Sequence, residues 1–210
     1  MRYQAGHKEE KRKHLLKASG ALAKKNGFEA SGVDALMRAA GVTSGAFYSH
    51  FGSKADLLQA LITSELSASR DMWAGNPHQS AEDWLEFELD RYLNIKHVQH
   101  PETGCMLPSL GAEIARADLP LRQLYQRELR KGQKILRQRL GSDALAWAFL
   151  CQLVGAILMA RALPGATAQR TVLEASKGFL KQALLQQVGR PVAEPAASQP
   201  GRAAKRMRES

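Results

Sequence analysis

The sequence predicts an all-α fold whose amino-terminal part is a three-helix unit ending in a helix-turn-helix. Three observations predict it. Apolar residues recur at i, i+3, i+4 and i+7 along most of the 210-residue chain. No segment alternates apolar and polar residues as a half-buried strand must, and no hairpin signal joins two such runs. Gly41 separates two short periodic segments, and a small residue there lets the chain turn steeply.

The first helix is expected over Lys8–Asn26, where Leu15, Ala18, Ser19 and Leu22 form one buried face. Gly27 ends it, taking a left-handed conformation cheaply, and Phe28 folds back as the apolar contact that follows. Val33–Ala40 is the second helix. The third, Thr43–Phe51, opens on Thr43 as N-cap. Ser53 with Asp56 resembles a capping box for a fourth helix over Lys54–Trp73. At ~1.5 Å per residue that helix is long enough, roughly 30 Å, to bridge two sub-structures. After Ala74-Gly75-Asn76-Pro77, helices are expected at Ala81–Val98, Met106–Arg116, Leu119–Leu140, Ser142–Leu163 and Thr167–Val188. Pro108 and Pro120 fall in first turns, where a missing N–H costs little. From Arg190 onward Pro, Ala, Ser and basic residues leave little to bury, so residues 190–210 read as a disordered basic tail.

At 44% hydrophobic and 24% charged, the composition excludes wholesale disorder. Thirty Lys and Arg against twenty Asp and Glu leave +10, unevenly placed: +5 in residues 1–60, +2 in 61–189 and +3 in the tail. Basic ends around a near-neutral middle suit an amino-terminal part that meets a polyanion. Cys105 and Cys151 make neither a disulfide framework nor a zinc ribbon. The charged start lacks the apolar core of a signal peptide. The apolar run Ala144–Ala160, broken only by Gln152, reads as a helix buried on all sides rather than a membrane span. A cytoplasmic protein with no membrane partner is expected.

In Val33–Phe51 the second helix of the pair must bury one face and offer the other to a groove. Phe47 and Phe51, at i and i+4, supply the buried face. Ser44, Gly45, Ala46, Tyr48, Ser49 and His50 divide among the remaining faces. The major groove of B-DNA, about 12 Å wide, admits such a helix. Thr43, Tyr48 and His50 can donate to phosphates, and Lys54 adds a charge beside the same strand.

The run from Leu15 to Leu58 resembles the amino-terminal domain of TetR/AcrR-type transcriptional regulators. The matching residues are Leu15-Leu16, Ala18, Leu22, Gly27-Phe28, Ser31, Ala40-Gly41-Val42, Gly45, Phe47-Tyr48, His50-Phe51, Ser53-Lys54 and Leu57-Leu58. The resemblance implies an all-α homodimeric repressor on a near-palindromic double-stranded DNA operator. It implies a helix-turn-helix domain over residues 1–52 and a helical effector-binding and dimerisation domain over 53–189. It places DNA contacts at Ser31, Thr43, Ser44, Ala46, Tyr48, His50 and Lys54. Ala23 departs from the family pattern, where Phe is usual. Ser44 and Ala46 stand where Lys and Thr are frequent, and neither offers the bidentate fork that reads a purine. Selectivity then leans on Ala46 against a thymine methyl, on the Tyr48 region and on DNA shape. Arg2, Lys8, Lys11, Arg12 and Lys13 form either a basic arm or a solvated charge run.

The carboxy-terminal part carries no GxSxG, P-loop, GxGxxG or HExxH motif, so no enzyme activity and no cofactor are expected. Trp84, Phe87, Tyr92, Tyr125, Trp147, Phe149 and Met159 are the large residues available to line a pocket or, singly, to pack a core. Cys105, after a Gly and at a helix start, is placed where a helix dipole favours the thiolate. Its Gly-Cys-x-Leu setting is similar to that of the TetR-type regulators that sense electrophiles or oxidants. That subgroup suggests a late lysine, Lys177, as the thiol's partner; the other reading is an inert, buried Cys105. Cys151 is expected in the core. His97, His100 and Cys105 spell HxxHxxxxC, but no fourth ligand suggests itself, and no metal is expected. The effector is then a small molecule or an electrophile; a constitutive architectural DNA-binding protein without effector is the alternative.

Overall fold

The computed structural model describes residues 2–186. Among them the chain forms α1 (Arg2–Asn26), α2 (Val33–Ala39), α3 (Ser44–Tyr48), α4 (Lys54–Ala74), α5 (Ala81–Tyr92) and α6 (Ile95–Gln99). A 3-10 turn (Pro101–Thr103) then leads to α7 (Leu107–Arg116), α8 (Leu119–Leu140), α9 (Asp143–Arg161) and α10 (Ala166–Leu185), with no strand among the described residues. The all-α prediction holds. The tail expected over 190–210 lies outside the described residues.

Local chemistry sets most boundaries. The side chains of Ser53, Ser80, Asn94, Asp118 and Ser142 each accept a backbone N–H in the first turn that follows. Gly41 takes φ +69°, the left-handed bend that a side chain would strain, and so joins α2 to α3. α3 ends at Tyr48 rather than Phe51, and two boundaries differ more from expectation. First, α1 begins at Arg2, so the basic stretch is helix rather than a separate arm. Second, the single helix expected over Ala81–Val98 is two. Asn94 donates to the carbonyls of Asp90 and Arg91 while accepting the N–H of His97, so it closes α5 and opens α6.

α4 packs along α8, and α9 lies between α8 and α10. One continuous apolar core runs from Leu15 to Leu184, with Trp84 and Phe149 buried 6.1 Å apart. Across the α4–α8 seam Arg70 donates to Glu128 at 2.9 Å, and Lys131 donates to the other carboxylate oxygen at 2.6 Å. α9 is apolar enough by composition to cross a membrane, with a mean hydropathy of 1.8. It instead buries Phe149, Leu150, Leu153 and Ile157 inward. Its outer face is open rather than buried: Leu158, Met159 and Cys151 are exposed, so Cys151 is not the core residue expected.

Candidate nucleic-acid interface and its link to an internal cavity

Phe47 and Phe51 are buried with ring centroids 5.7 Å apart and anchor α3 against the amino-terminal core. Tyr48 stands between them in sequence and on the opposite face, 68% exposed, its ring edge-on to Phe47. Thr43 is exposed at the N-cap position of α3, but its hydroxyl caps nothing. Ser44 is half-buried and donates to Asp34 of α2. Ala46 is half-buried, and its carbonyl accepts from Ser49 at 2.7 Å.

The flanking charge comes from α1. Burial first, then the charges of Lys8, Arg12 and Lys11, push the pKa of His50 below its ordinary value. The Arg12 guanidinium lies 5.2 Å from the centroid of the Phe51 ring. Lys54 is partly committed: it donates to the Glu29 carbonyl at 3.1 Å and sits 4.9 Å from the Phe28 ring centroid. A lysine ammonium has two further donors for a phosphate. Ser31 departs from the expected arrangement. It is buried, and its hydroxyl donates to the Gly27 carbonyl at 2.7 Å, holding the α1–α2 corner.

Two contacts tie this unit to the rest of the molecule. The Glu113 carboxylate on α7 accepts the N–H of Phe28 at 3.1 Å and that of Glu29 at 3.0 Å, so it caps the α1–α2 corner from outside. Lys24 of α1 donates to Glu65 of α4 at 2.9 Å and to the Gly104 carbonyl at 3.0 Å. α4 therefore shares the link to the carboxy-terminal part with the segment from Gly104 to Glu113. Sequence reasoning missed Lys24, Glu65 and Glu113, because partners 41 to 85 residues apart leave no local pattern.

The start of that segment, Gly104 and Cys105, lies in the wall of a cavity of about 490 Å³, lined among others by Lys24, Glu65, Tyr92, Lys96 and His97. Of the large residues expected to line a pocket, Tyr92 does so; Trp84 and Phe149 are core, and Met159 is exposed. The Cys105 N–H donates to His97 Nε2 at 3.0 Å, and His97 Nδ1–H donates to the Tyr92 carbonyl at 2.8 Å, which fixes a neutral ring. Gly104 is required here, since a Cβ at this position would overlap the His97 ring. Arg161 clamps the same turn, donating to the His97 carbonyl and to Ser109 at 2.9 Å each.

Two expectations about this region are corrected. Cys105 lies ahead of the Met106 N-cap of α7, and burial pushes its thiol pKa up rather than down. Lys177 pairs with Asp90 at 2.9 Å, while the lysine whose charge reaches the thiol is Lys24. His100 faces Glu102, both ring nitrogens of His97 are in use, and the described residues bring together no group of three metal-ligating side chains.

His97 makes the fold pH-dependent. Burial first, with Arg161 and Lys24 adding to it, lowers its pKa below the ordinary 6.5, against the pull of the Tyr92 carbonyl. The unfolded chain therefore takes up this proton at higher pH than the fold does. Its stabilising contribution is complete above the unfolded value and is lost as pH falls through the lowered folded one. His50 acts in the same direction. The thermal midpoint is expected to fall between about pH 7 and about pH 5, and His97→Gln is expected to flatten the fall. A wild-type midpoint that holds constant across that interval contradicts the neutral ring.

Residues 15–61 match the family model for bacterial regulatory proteins of the tetR family. No curated protein matches the chain significantly. Solved structures match over most of it. NemR of E. coli in its reduced form is 22% identical, with a TM-score of 0.71 over 82% of this chain and 96% of that one. A TetR transcriptional regulator from Chloroflexus aurantiacus is also 22% identical, with a TM-score of 0.72 over 89% and 98%. FadR from Bacillus subtilis, solved with stearoyl-CoA, is 18% identical, with a TM-score of 0.60 over 83% and 97%. At these identities the likeness is one of fold. Residues 15–61 thus carry an amino-terminal domain of the tetR-family type, and the described body shares the fold of these solved regulators.

Proposed function

We propose that the chain is a homodimeric, effector-responsive repressor acting in the cytoplasm. Residues 1–52 bind a near-palindromic DNA operator, and residues 53–189 form the effector-binding and dimerisation domain. The observation that carries this reading is the pairing of an outward-facing α3, with Tyr48 68% exposed, and the Lys24 tie that runs from its domain to a cavity. On DNA, Thr43, Tyr48 and His50 donate to phosphates, while Lys54 and the α1 lysines add charge along the same strand. Ala46 meets a thymine methyl, and Ser44 divides its hydroxyl between Asp34 and the duplex. Ser31 contributes by holding the corner behind them.

Dimerisation uses the outer faces of α9 and α10. Leu158, Met159 and Phe179 are exposed there by more than half. Gly155 and Gly178 have open space on the side where another residue would carry its Cβ, which leaves room for a second backbone. A two-fold arrangement sets two copies of α3 about 34–36 Å apart, one helical turn of DNA. An effector in the cavity releases the operator only if it binds better to the arrangement with the wrong spacing. The Lys24 and Glu113 ties are where that preference acts. FadR from B. subtilis holding stearoyl-CoA supports reading the cavity of such a fold as an effector site.

A second route to release, covalent modification of Cys105, is favoured by its place in the cavity wall. A constitutive architectural protein accounts for neither the cavity nor the ties. The test is selection of bound sequences from random duplexes, followed by operator release under thiol alkylation in wild type and Cys105→Ser. Enrichment of a two-fold symmetric site is expected. Equal release from both proteins leaves non-covalent effectors as the route, and absence of any enriched site sinks the repressor reading.

A further inference from the structure

We infer that His97 is a proton-operated latch on α1: its neutral ring holds the peptide between Gly104 and Cys105 where it grips Lys24, and a protonated ring makes that peptide turn away. One peptide group carries both contacts. Its N–H, that of Cys105, donates to His97 Nε2 at 3.0 Å, and its carbonyl, that of Gly104, accepts from Lys24 at 3.0 Å. A peptide group is planar, so its two ends cannot reorient separately. Whatever turns the N–H away from His97 also turns the carbonyl away from Lys24.

The ring is the fixed side of the latch. His97 Nδ1–H donates to the Tyr92 carbonyl at 2.8 Å, and the two rings stand edge-on with centroids 4.6 Å apart. Arg161 holds the His97 carbonyl at 2.9 Å. With Nδ1 already carrying a proton, Nε2 is the acceptor that a second proton removes. The protonated ring sets an N–H against the Cys105 N–H while its bond to the Tyr92 carbonyl strengthens. The peptide is the side that yields, because Gly104 carries no Cβ to press against the ring as it turns.

The surrounding charges set where the latch opens. Lys24 on α1 and Arg161 on α9 act on the ring as cations, and Glu65 on α4 holds Lys24. On α5 the Tyr92 hydroxyl is kept neutral by burial, as is the Cys105 thiol, and Arg91 is paired with Glu88. Lys96 of α6 itself lines the same cavity. Of the other elements packed on α6, the 3-10 turn has Glu102 paired with His100, and α10 has Lys177 paired with Asp90 and Glu174. Burial and the two cations keep the proton off His97 until the pH is below the ordinary 6.5. The latch is therefore shut at neutral pH and opens on the acid side.

Lys24 keeps Glu65 when the peptide turns, so α1 stays on α4 but loses its hold on the segment leading to α7. The consequence for DNA rests on the repressor reading above: the helix-turn-helix unit is carried differently and the operator is held less tightly. By reciprocity, bound operator lowers the His97 pKa further.

The test is an NMR titration of the full chain from about pH 7.5 to about pH 5, with affinity for the selected duplex measured alongside at constant ionic strength. The His97 ring, the Cys105 amide and the Lys24 side chain are expected to move with one midpoint. His97→Gln offers Oε1 as an acceptor and has no proton to gain, so its Cys105 amide is expected to stay still. Wild-type affinity relative to His97→Gln is expected to fall about 5- to 150-fold across the midpoint, the usual span of coupling between sites. His50 titrates in both proteins and cancels in that ratio. The double variant Lys24→Met with Glu65→Leu cuts the tie without stranding a charge. It is expected to keep the amide titration and to match the affinity profile of His97→Gln. A Cys105 amide or a Lys24 side chain that ignores the His97 titration overturns the latch, as do superimposable affinity profiles of wild type and His97→Gln. Failure to enrich any duplex overturns the repressor reading instead, and the NMR titration then decides the latch alone.

Discussion

Replacing Glu65 by alanine is expected to destabilise the fold by about 3–5 kcal/mol. Lys24 and Glu65 form a 2.9 Å ion pair with side chains only 7% and 21% exposed. Removing the carboxylate leaves a largely buried ammonium with the Gly104 carbonyl as its remaining partner. The seat is close-fitting as well, since a Cβ on Gly20 would lie 2.9 Å from the Glu65 carboxylate. In thermal unfolding the loss corresponds to a fall of roughly 6–20 °C in the midpoint. The double variant Lys24→Met with Glu65→Leu is expected to recover most of it, because an apolar pair needs no compensating charge. A Glu65→Ala change of less than about 1 kcal/mol, the range of an exposed pair, would show that the pair is solvated and that α1 is held to α4 by packing alone.

Placing glutamate at both Phe179 and Met159 is expected to separate the proposed dimer and to lower operator affinity by about 10²–10⁴. The two side chains are 61% and 65% exposed on α10 and α9, so the single-chain fold loses little when they change. In a two-fold interface each substituted carboxylate is buried and meets its like-charged copy. Analytical ultracentrifugation reads the separation directly. Salt-dependent binding to the selected operator reads its consequence, with a shallower slope because one reading head at a time contacts phosphates. Sedimentation as a dimer with both substitutions present would move the interface elsewhere on the surface.

Much of the helical organisation was legible because the signals that make it are local. The Gly27 and Gly41 bends, the Ser53 cap and the buried pair Phe47 and Phe51 depend on neighbours within a few residues. The family resemblance lay in the same stretch, and the family model matches residues 15–61 there. The errors also have local causes. The periodicity over Ala81–Val98 continues through Asn94 because sequence spacing does not show that its side chain turns back onto Asp90 and Arg91. Ser31 has the right identity for a phosphate contact, but its direction was set by the Gly27 carbonyl.

The amino acids by themselves determined the class of fold, the position of the helix-turn-helix and the placing of positive charge at the amino end, because periodicity, caps and composition act over a turn or two of helix. Only the tertiary structure decided that Lys24 and Glu113 fasten the helix-turn-helix unit to the Cys105 segment, that burial raises the Cys105 thiol, and that the outer face of α9 is bare. Each of these depends on which distant groups share a place with little water, and desolvation and long-range hydrogen bonds have no signature in residue spacing.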